Sequence, residues 1–409
     1  GEGLSGTSLR LSSQRLIDFL SLAQRYIDHT LRANLRSDGL THSYNVLHLQ
    51  GEEAIVEHLY LMLEGQVALL SSGMLAPPEA LNLLQSLRHS DLYRADLQTY
   101  MLYPNRDLPG FLQKNNVLAD RVAGSAIVKA LTEAGDRRLL IRDETGQYHF
   151  SGDFRNANDA AAVLDKLAAE PPYAEMATAE RAFILDLFEN TFNHRAFTGR
   201  SGTFFAYEGL GSVYWHMVSK LLLAAQECYQ HAEAETTGPA LASDLANTYY
   251  GIRQGLGFNK TPAEYGAFPA DPYSHTPLGR GAQQPGMTGQ VKEEILARFG
   301  ELGVSVPHGA LQFRPTLLRS EEYIPEAQDF TYVDTAGISK TLHLPTNALA
   351  FTYCQTPVVY VRDTDPRIEV TYQDGRTATL AGCCLDEATS RHIFRRDGHV
   401  ALLKVVIER

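Results

Sequence analysis

The stretch RIEVTYQDGRTATLAG, residues 367–382, decides how the C-terminal part of the chain folds. Ile368, Val370 and Tyr372 alternate with Arg367, Glu369 and Thr371, a period of two that puts the apolar side chains on one face of a strand. Asp374-Gly375 follows, the residue pair that a tight two-residue hairpin turn demands. Working outward, FTYVDTAG (330–337), SKTLHLP (339–345), ALAFTYCQTPVVYV (348–361) and HVALLKVVIE (399–408) alternate in the same way or run in β-branched blocks. A small β-rich domain over 321–409 is the expectation.

Before residue 310 the period is helical. Leu16, Phe19, Leu20, Ala23 and Ile27 share one stripe, which predicts a helix across 9–35, and a second is predicted across 51–73. Pro77-Pro78 opens a helix over 77–90, and Gly135 closes one over 117–135. Further helices read at 156–170, 178–192, 211–232, 239–255 and 291–303. Between them, 137–152 reads as an inserted β-hairpin turning at Glu144 to Gly146. The resulting expectation is a mainly α protein. Residues 1–320 form an (α/α)6-type helical toroid, with fewer helices legible than a full toroid carries, and the small C-terminal β domain follows.

The chain has 409 residues, a formal net charge of -12, 44% hydrophobic and 21% charged residues, which fits an ordinary globular composition. The acidic balance excludes a general nucleic-acid or anionic-membrane surface, because both require an excess of Lys and Arg. Cys228, Cys354, Cys383 and Cys384 have no C-x-x-C spacing, so inert thiols in a reducing, cytoplasmic compartment are expected. Apolar runs are interrupted by Glu64, Lys220 or Gln226 before they reach bilayer length. The opening GEGLSGTS has no initiator Met and reads as a processed end, a tag scar or a cut inside a longer protein.

Two connections are longer than helix–helix loops usually are. The first, FNHRAFTGRSGTFFAYEGLG (192–211), carries Glu208 beside Tyr207. A carboxyl among aromatic rings has its pKa raised by desolvation, as a general acid requires, although Glu208 could equally cap the next helix or pair with Arg200. The second, 255–289, ends in HTPLGRGAQQPGMTGQ (275–290) and runs into a helix start. Its glycines, Arg280, Gln284, Thr288 and Gly289 could seat a phosphate, though the pattern is neither a Walker motif nor G-x-G-x-x-G. Tyr207, Trp215, Asp271, Tyr273 and His275 have the composition of a sugar-binding cleft, and equally of an ordinary polar cavity. Residues 90–115 read as a third rim loop. His58 and His216 are expected to satisfy local partners, and no metal motif is present.

With these residues in view, the chain resembles the catalytic region of inverting glycoside phosphorylases of the cellobiose phosphorylase type. Met287-Thr288-Gly289 resembles that family's phosphate-site turn, and GSVYWHM (211–217) resembles the helix after its acid-bearing loop. The resemblance spans about residues 190 to 409. The family's Asp-Trp-Asn-Asp-Gly acid segment has no counterpart, so Glu208 stands in, with Glu189 in reserve.

The resemblance implies phosphorolysis of an oligosaccharide by one general acid, with inorganic phosphate as co-substrate and no other cofactor. It implies no nucleic-acid or membrane partner, and either a homo-oligomer or the N-terminal region of a longer chain as the remaining partner. Two rivals stay open. One is an inverting hydrolase using Asp271 or Glu264 as base; the other is a non-catalytic carbohydrate-binding or scaffolding fragment.

Overall fold

The computed structural model describes residues 6, 10–96, 98–104, 110–192, 213–235, 238–256 and 287–408. Over these residues 45% is helix and 23% strand, in thirteen α-helices and several sheets. The mainly α toroid is therefore overturned: short helices alternate with hairpins, and the C-terminal region is rich in sheet. The chain forms two interleaved compact units. One takes 1–66, 85–217 and 257–287, and the other takes 67–84, 218–256 and 288–409.

In the first unit, α1 (Ser13–Ala33) starts where the Ser12 hydroxyl accepts from the Arg15 N–H. The helix forms over its predicted stripe, yet none of its residues is buried, and Phe19 is 64% exposed. Where a helix over 51–73 was expected, a hairpin of β1 (Asn45–Gln50) and β2 (Glu53–His58) takes the first part. Gly51, at φ +61°, makes its turn, a backbone angle that costs glycine nothing. Leu47 and Leu49 lie opposite Val56 and Ala54 on one face, an alternation that sets the register. Only α2 (Leu63–Ser71) remains of the expected helix. Most of α2, and α3 (Pro77–Arg88) as far as Leu84, begun by its two prolines, belong to the second unit; the first unit resumes with the end of α3 and a minimal hairpin of β3 (Tyr93–Arg94) and β4 (Thr99–Tyr100).

Residues 110–192 then build a module around a core of their own. Its elements are α4 (Phe111–Lys114), α5 (Ala119–Val122), α6 (Ala126–Glu133), β5 (Leu140–Arg142), β6 (Tyr148–Phe150), α7 (Ala157–Ala168), α8 (Ala174–Ala179) and α9 (Arg181–Phe192). The predicted helix over 117–135 breaks at Gly124-Ser125, where Ser125 caps α6 by accepting from the Val128 N–H. The β5–β6 hairpin lies where it was expected. Ile127, Leu131, Leu139, Phe150, Leu164, Ile184 and Phe188 are buried together. Filling the core this way stabilises the module by roughly 1.5–3 kcal/mol for each large side chain. The buried Asn115 amide donates to the Phe150 carbonyl at 2.8 Å and accepts from the Phe150 N–H at 2.7 Å, locking the loop before α5 onto β6.

The second unit contains most of α10 (Trp215–Glu235), α11 (Pro239–Gly255), α12 (Met287–Glu301), the short pair β7 (Val304–Ser305) and β8 (Gln312–Phe313), and the predicted β region. That region forms a hairpin of β9 (Gln328–Val333) and β10 (Ser339–Leu344), followed by five further strands. They are β11 (Ala348–Tyr353), β12 (Thr356–Asp363), β13 (Arg367–Tyr372), β14 (Thr377–Ala381) and, after α13 (Glu387–Arg395), β15 (Val400–Glu408). Their order in the sheet is β11-β12-β15-β13-β14, antiparallel except for the β12–β15 pair.

Period two divides the two faces of this sheet. Leu349, Val358, Tyr360, Ile368, Val370, Leu403 and Val405 share one core with Phe313 and with Ile393 of α13. Ala348, Val359 and the partly buried Leu402 face the other way and pack with Phe330, Leu342 and Leu344 of the β9–β10 hairpin. Both faces are covered, which explains why β12 is buried along its first five residues.

Candidate functional site

The helix start expected behind the glycine-rich stretch is present. α12 begins at Met287, four residues before the predicted start, so Met287-Thr288-Gly289 form its first turn. The first N–H groups of an α-helix have no partner inside the helix and point back along its axis, which makes that end attractive to an anion. Trp215 is the first residue of α10. It falls in the first compact unit, whereas Thr288 and Gly289 fall in the second. Tyr207, Glu208, Glu264, Asp271, Tyr273, His275, Arg280 and Gln284 lie outside the described residues. The reserve acid Glu189 lies on α9, half-buried in the module of residues 110–192.

What the described residues do show is how α12 is held. Glu301, in its last turn, is 2% exposed and carries three partners. The Tyr249 hydroxyl donates to Glu301 Oε1 at 2.6 Å, Arg253 Nε lies 3.0 Å from the same oxygen, and Arg298 Nη1 lies 2.6 Å from Oε2. Arg298 also reaches Glu322 at 2.6 Å, and Arg253 reaches it at 3.8 Å. Two guanidinium groups thus meet two carboxylates, and a buried carboxylate is tolerated only when paired and hydrogen-bonded in this way. One turn earlier, the Gln226 amide of α10 donates to the Ala297 carbonyl at 2.7 Å. Gly300 permits that approach, since a Cβ there would lie 2.0 Å from the Gln226 side-chain oxygen. In this way α10, α11, α12 and the segment around Glu322 are fixed to one another through polar contacts of defined direction.

The electrostatics assign the cluster a positioning role. Burial, and then the Glu301 charge, push the Tyr249 phenol far above its ordinary value. Burial and the same carboxylate raise Tyr250 to about 12. Burial opposes the charge on Arg298, but the hydrogen bond to Glu301 and the field of Glu322 outweigh it and raise its pKa. The geometry is that of an anchor: the Tyr249 hydroxyl and the two guanidinium groups hold Glu301 in the last turn, and so orient α12. Sequence reading did not single it out. Its one local signal is Arg298 and Glu301 at i,i+3; Tyr249, Arg253 and Glu322 come from other segments.

Other features of the second unit have clear physical roles. A cavity of about 220 Å³ is lined by Leu70, Leu75, Pro77, Ala80, Cys228 and His231. Burial raises the Cys228 thiol to about 12, which makes it inert as expected. In the first unit, His58 satisfies a local partner, its Nδ1 lying 2.7 Å from Asn45 Oδ1 and its ring stacking on His42. Among the described residues no group of three or more His, Cys, Asp or Glu could hold a metal ion, and no helix is long and apolar enough to cross a membrane.

Residues 108–195 match the family model described as GH149 phosphorylase insertion domain 2. The match supports a glycoside phosphorylase family, and it lies outside most of the stretch on which the resemblance to cellobiose phosphorylases rests. No curated protein matches the chain. The matched residues contain the whole of the core that runs from Val117 to Phe192.

Proposed function

We propose that the chain forms part of a glycoside phosphorylase that cleaves a glycosidic bond of an oligosaccharide with inorganic phosphate and inverts the anomeric centre. The observation that carries this reading is the agreement between residues 108–195, matched to a phosphorylase insertion domain, and a module that closes its own core. The start of α12 supports it further, because Thr288 and Gly289 lie in a first turn whose helix is anchored at its far end by Glu301.

In this reading the Gly289 N–H and the Thr288 hydroxyl hold the phosphate together with Arg280 and Gln284. Glu208 protonates the glycosidic oxygen, while a phosphate oxygen attacks the anomeric carbon from the opposite face. The bond to the leaving sugar breaks, and a sugar 1-phosphate of inverted configuration is released. Phosphate is itself the nucleophile, so no second carboxylate is needed to activate water. Tyr207, Trp215, Asp271, Tyr273 and His275 contact the sugar. A cytoplasmic location accompanies this reading, since phosphorolysis draws on an intracellular phosphate pool.

The test is release of sugar 1-phosphate from short glucans with and without phosphate. Turnover is expected only with phosphate, and Glu208→Gln is expected to lower it by about 10²–10⁴-fold. Equal sugar release in phosphate-free buffer would overturn phosphorolysis in favour of hydrolysis.

A further inference from the structure

The cavity of about 220 Å³ bordered by the end of α2, the start of α3 and α10 lies wholly within the second unit and takes no part in the phosphorolysis reading. Its floor is apolar: Leu70, Leu75, Pro77, Ala80 and Cys228 line it, and all five are buried. No Tyr, Phe or Trp lines it, so it lacks the flat ring on which a sugar stacks. Its rim is different in kind. Helix α2 ends at Ser71, and Gly73, at φ +70°, turns the chain out of the helix. The last carbonyl groups of a helix have no partner inside it and form its negative end, and Leu70 and Ser71 bring that end to the cavity. The Leu70 carbonyl accepts from the Cys228 thiol, a weak donor, at 3.7 Å. On α10, Glu227 and His231 fall one turn apart on the face that borders the cavity. Glu227 is exposed, and His231 Nε2 lies 2.9 Å from Glu235 Oε1. No Lys or Arg lines the cavity, so an apolar floor meets a rim of carbonyl and carboxylate oxygens.

We propose that this cavity binds a small organic cation, a primary ammonium carried on one six-membered hydrocarbon ring. A dry apolar cavity of about 150 Å³ holds benzene, so about 220 Å³ accommodates the ring and its substituent. The ring covers Leu70, Leu75, Ala80 and Cys228 and removes their apolar surface from water. The ammonium has three donors and no acceptor, and it sits at the rim, where Glu227 and the carbonyl end of α2 accept. Glu227 is exposed, so its attraction is screened: the floor supplies most of the affinity, and the rim selects the charge of the head group. The same oxygens disfavour an anionic head group.

The experiment is calorimetric titration of the native chain at neutral pH with cyclohexylamine and, separately, with cyclohexanol, which carries the same ring without the charge. Cyclohexylammonium is expected to bind about threefold more tightly, the preference that a partly exposed charge contact supplies. Glu227→Gln keeps the size of the side chain and is expected to remove that preference while leaving cyclohexanol binding unchanged. Ala80→Leu fills the floor and is expected to abolish binding of both. Ala80 is 1% exposed and its enlargement can unfold the chain, so Glu227→Gln, at an exposed position, decides the matter by itself. Saturable binding of neither compound, equal binding of both, a preference that survives in Glu227→Gln, or binding that survives in a folded Ala80→Leu chain would overturn the proposal.

Discussion

Two regions of the first unit started from equally good amphipathic sequence and ended differently. The N-terminal segment from Ser13 to His58 forms a helix and a hairpin in which no strand or helix residue is buried. The module of residues 110–192 forms eight short elements and buries sixteen side chains in one core. The contrast teaches that a hydrophobic stripe specifies the conformation of a segment and the direction of its face, while burial depends on whether neighbouring segments present complementary faces. In the module, α6, α7, α8 and α9 do so around Phe150. In α1, Leu16, Leu20 and Ile27 share one stripe, and all three are exposed.

The contrast can be broken by substitution. Phe150→Ala should have the largest effect. The ring is 1% exposed and packs edge-on to Phe188 at 5.1 Å, so about 3–5 kcal/mol of stability is expected to be lost in denaturant unfolding. A loss under about 1 kcal/mol would mean that the module does not depend on its own core.

A smaller effect sharpens the contrast through pH. His149 Nδ1 lies 2.5 Å from the Asn115 carbonyl oxygen and Nε2 lies 3.1 Å from Asp143 Oδ2, so both ring nitrogens face acceptors. The Asn115 carbonyl, and then Asp143, raise the His149 pKa; His149, and then Thr145, hold Asp143 down at about 2. A raised histidine stabilises fully below its unfolded pKa of about 6.5, and that contribution disappears as pH climbs through the folded value. A lowered aspartate stabilises above its unfolded pKa of about 3.9, and that contribution disappears as pH falls through about 2. The melting temperature of the module should therefore fall as pH rises above about 6.5, and His149→Gln should flatten that slope. An unchanged slope in the variant would assign the pH dependence elsewhere.

The smallest effect belongs to α1. Leu20 is 56% exposed, so Leu20→Ser should change stability by no more than about 0.5 kcal/mol. A loss of about 2 kcal/mol or more would show that this face is covered in solution and would erase the difference between the two regions.

How much was legible in the sequence follows the same logic. The seven strands from Gln328 onward were readable because period two and the Asp374-Gly375 turn are local signals, and Gly375 takes the φ of +83° that such a turn needs. The β1–β2 hairpin was misread because Ile55, Val56 and Leu59 also fit a helical stripe, and only the left-handed Gly51 separates the two readings. α13 passed unread although Asp386 caps it by accepting from the Thr389 N–H. The start of α12 was legible to within four residues because a run of Gly and Pro ends there. The Glu301 cluster was not, since three segments separated in sequence supply its members, and only the Arg298–Glu301 spacing leaves a local mark.

The position of β15 has a consequence for how the second unit is made. Among the five strands of its sheet, the one at the centre is synthesised last. Until it emerges from the ribosome, β11–β12 and β13–β14 are two separate hairpins, each with an apolar flank and an unpaired edge that can recruit a foreign strand. The nascent chain thus spends the interval before its keystone arrives in the form most in need of a chaperone.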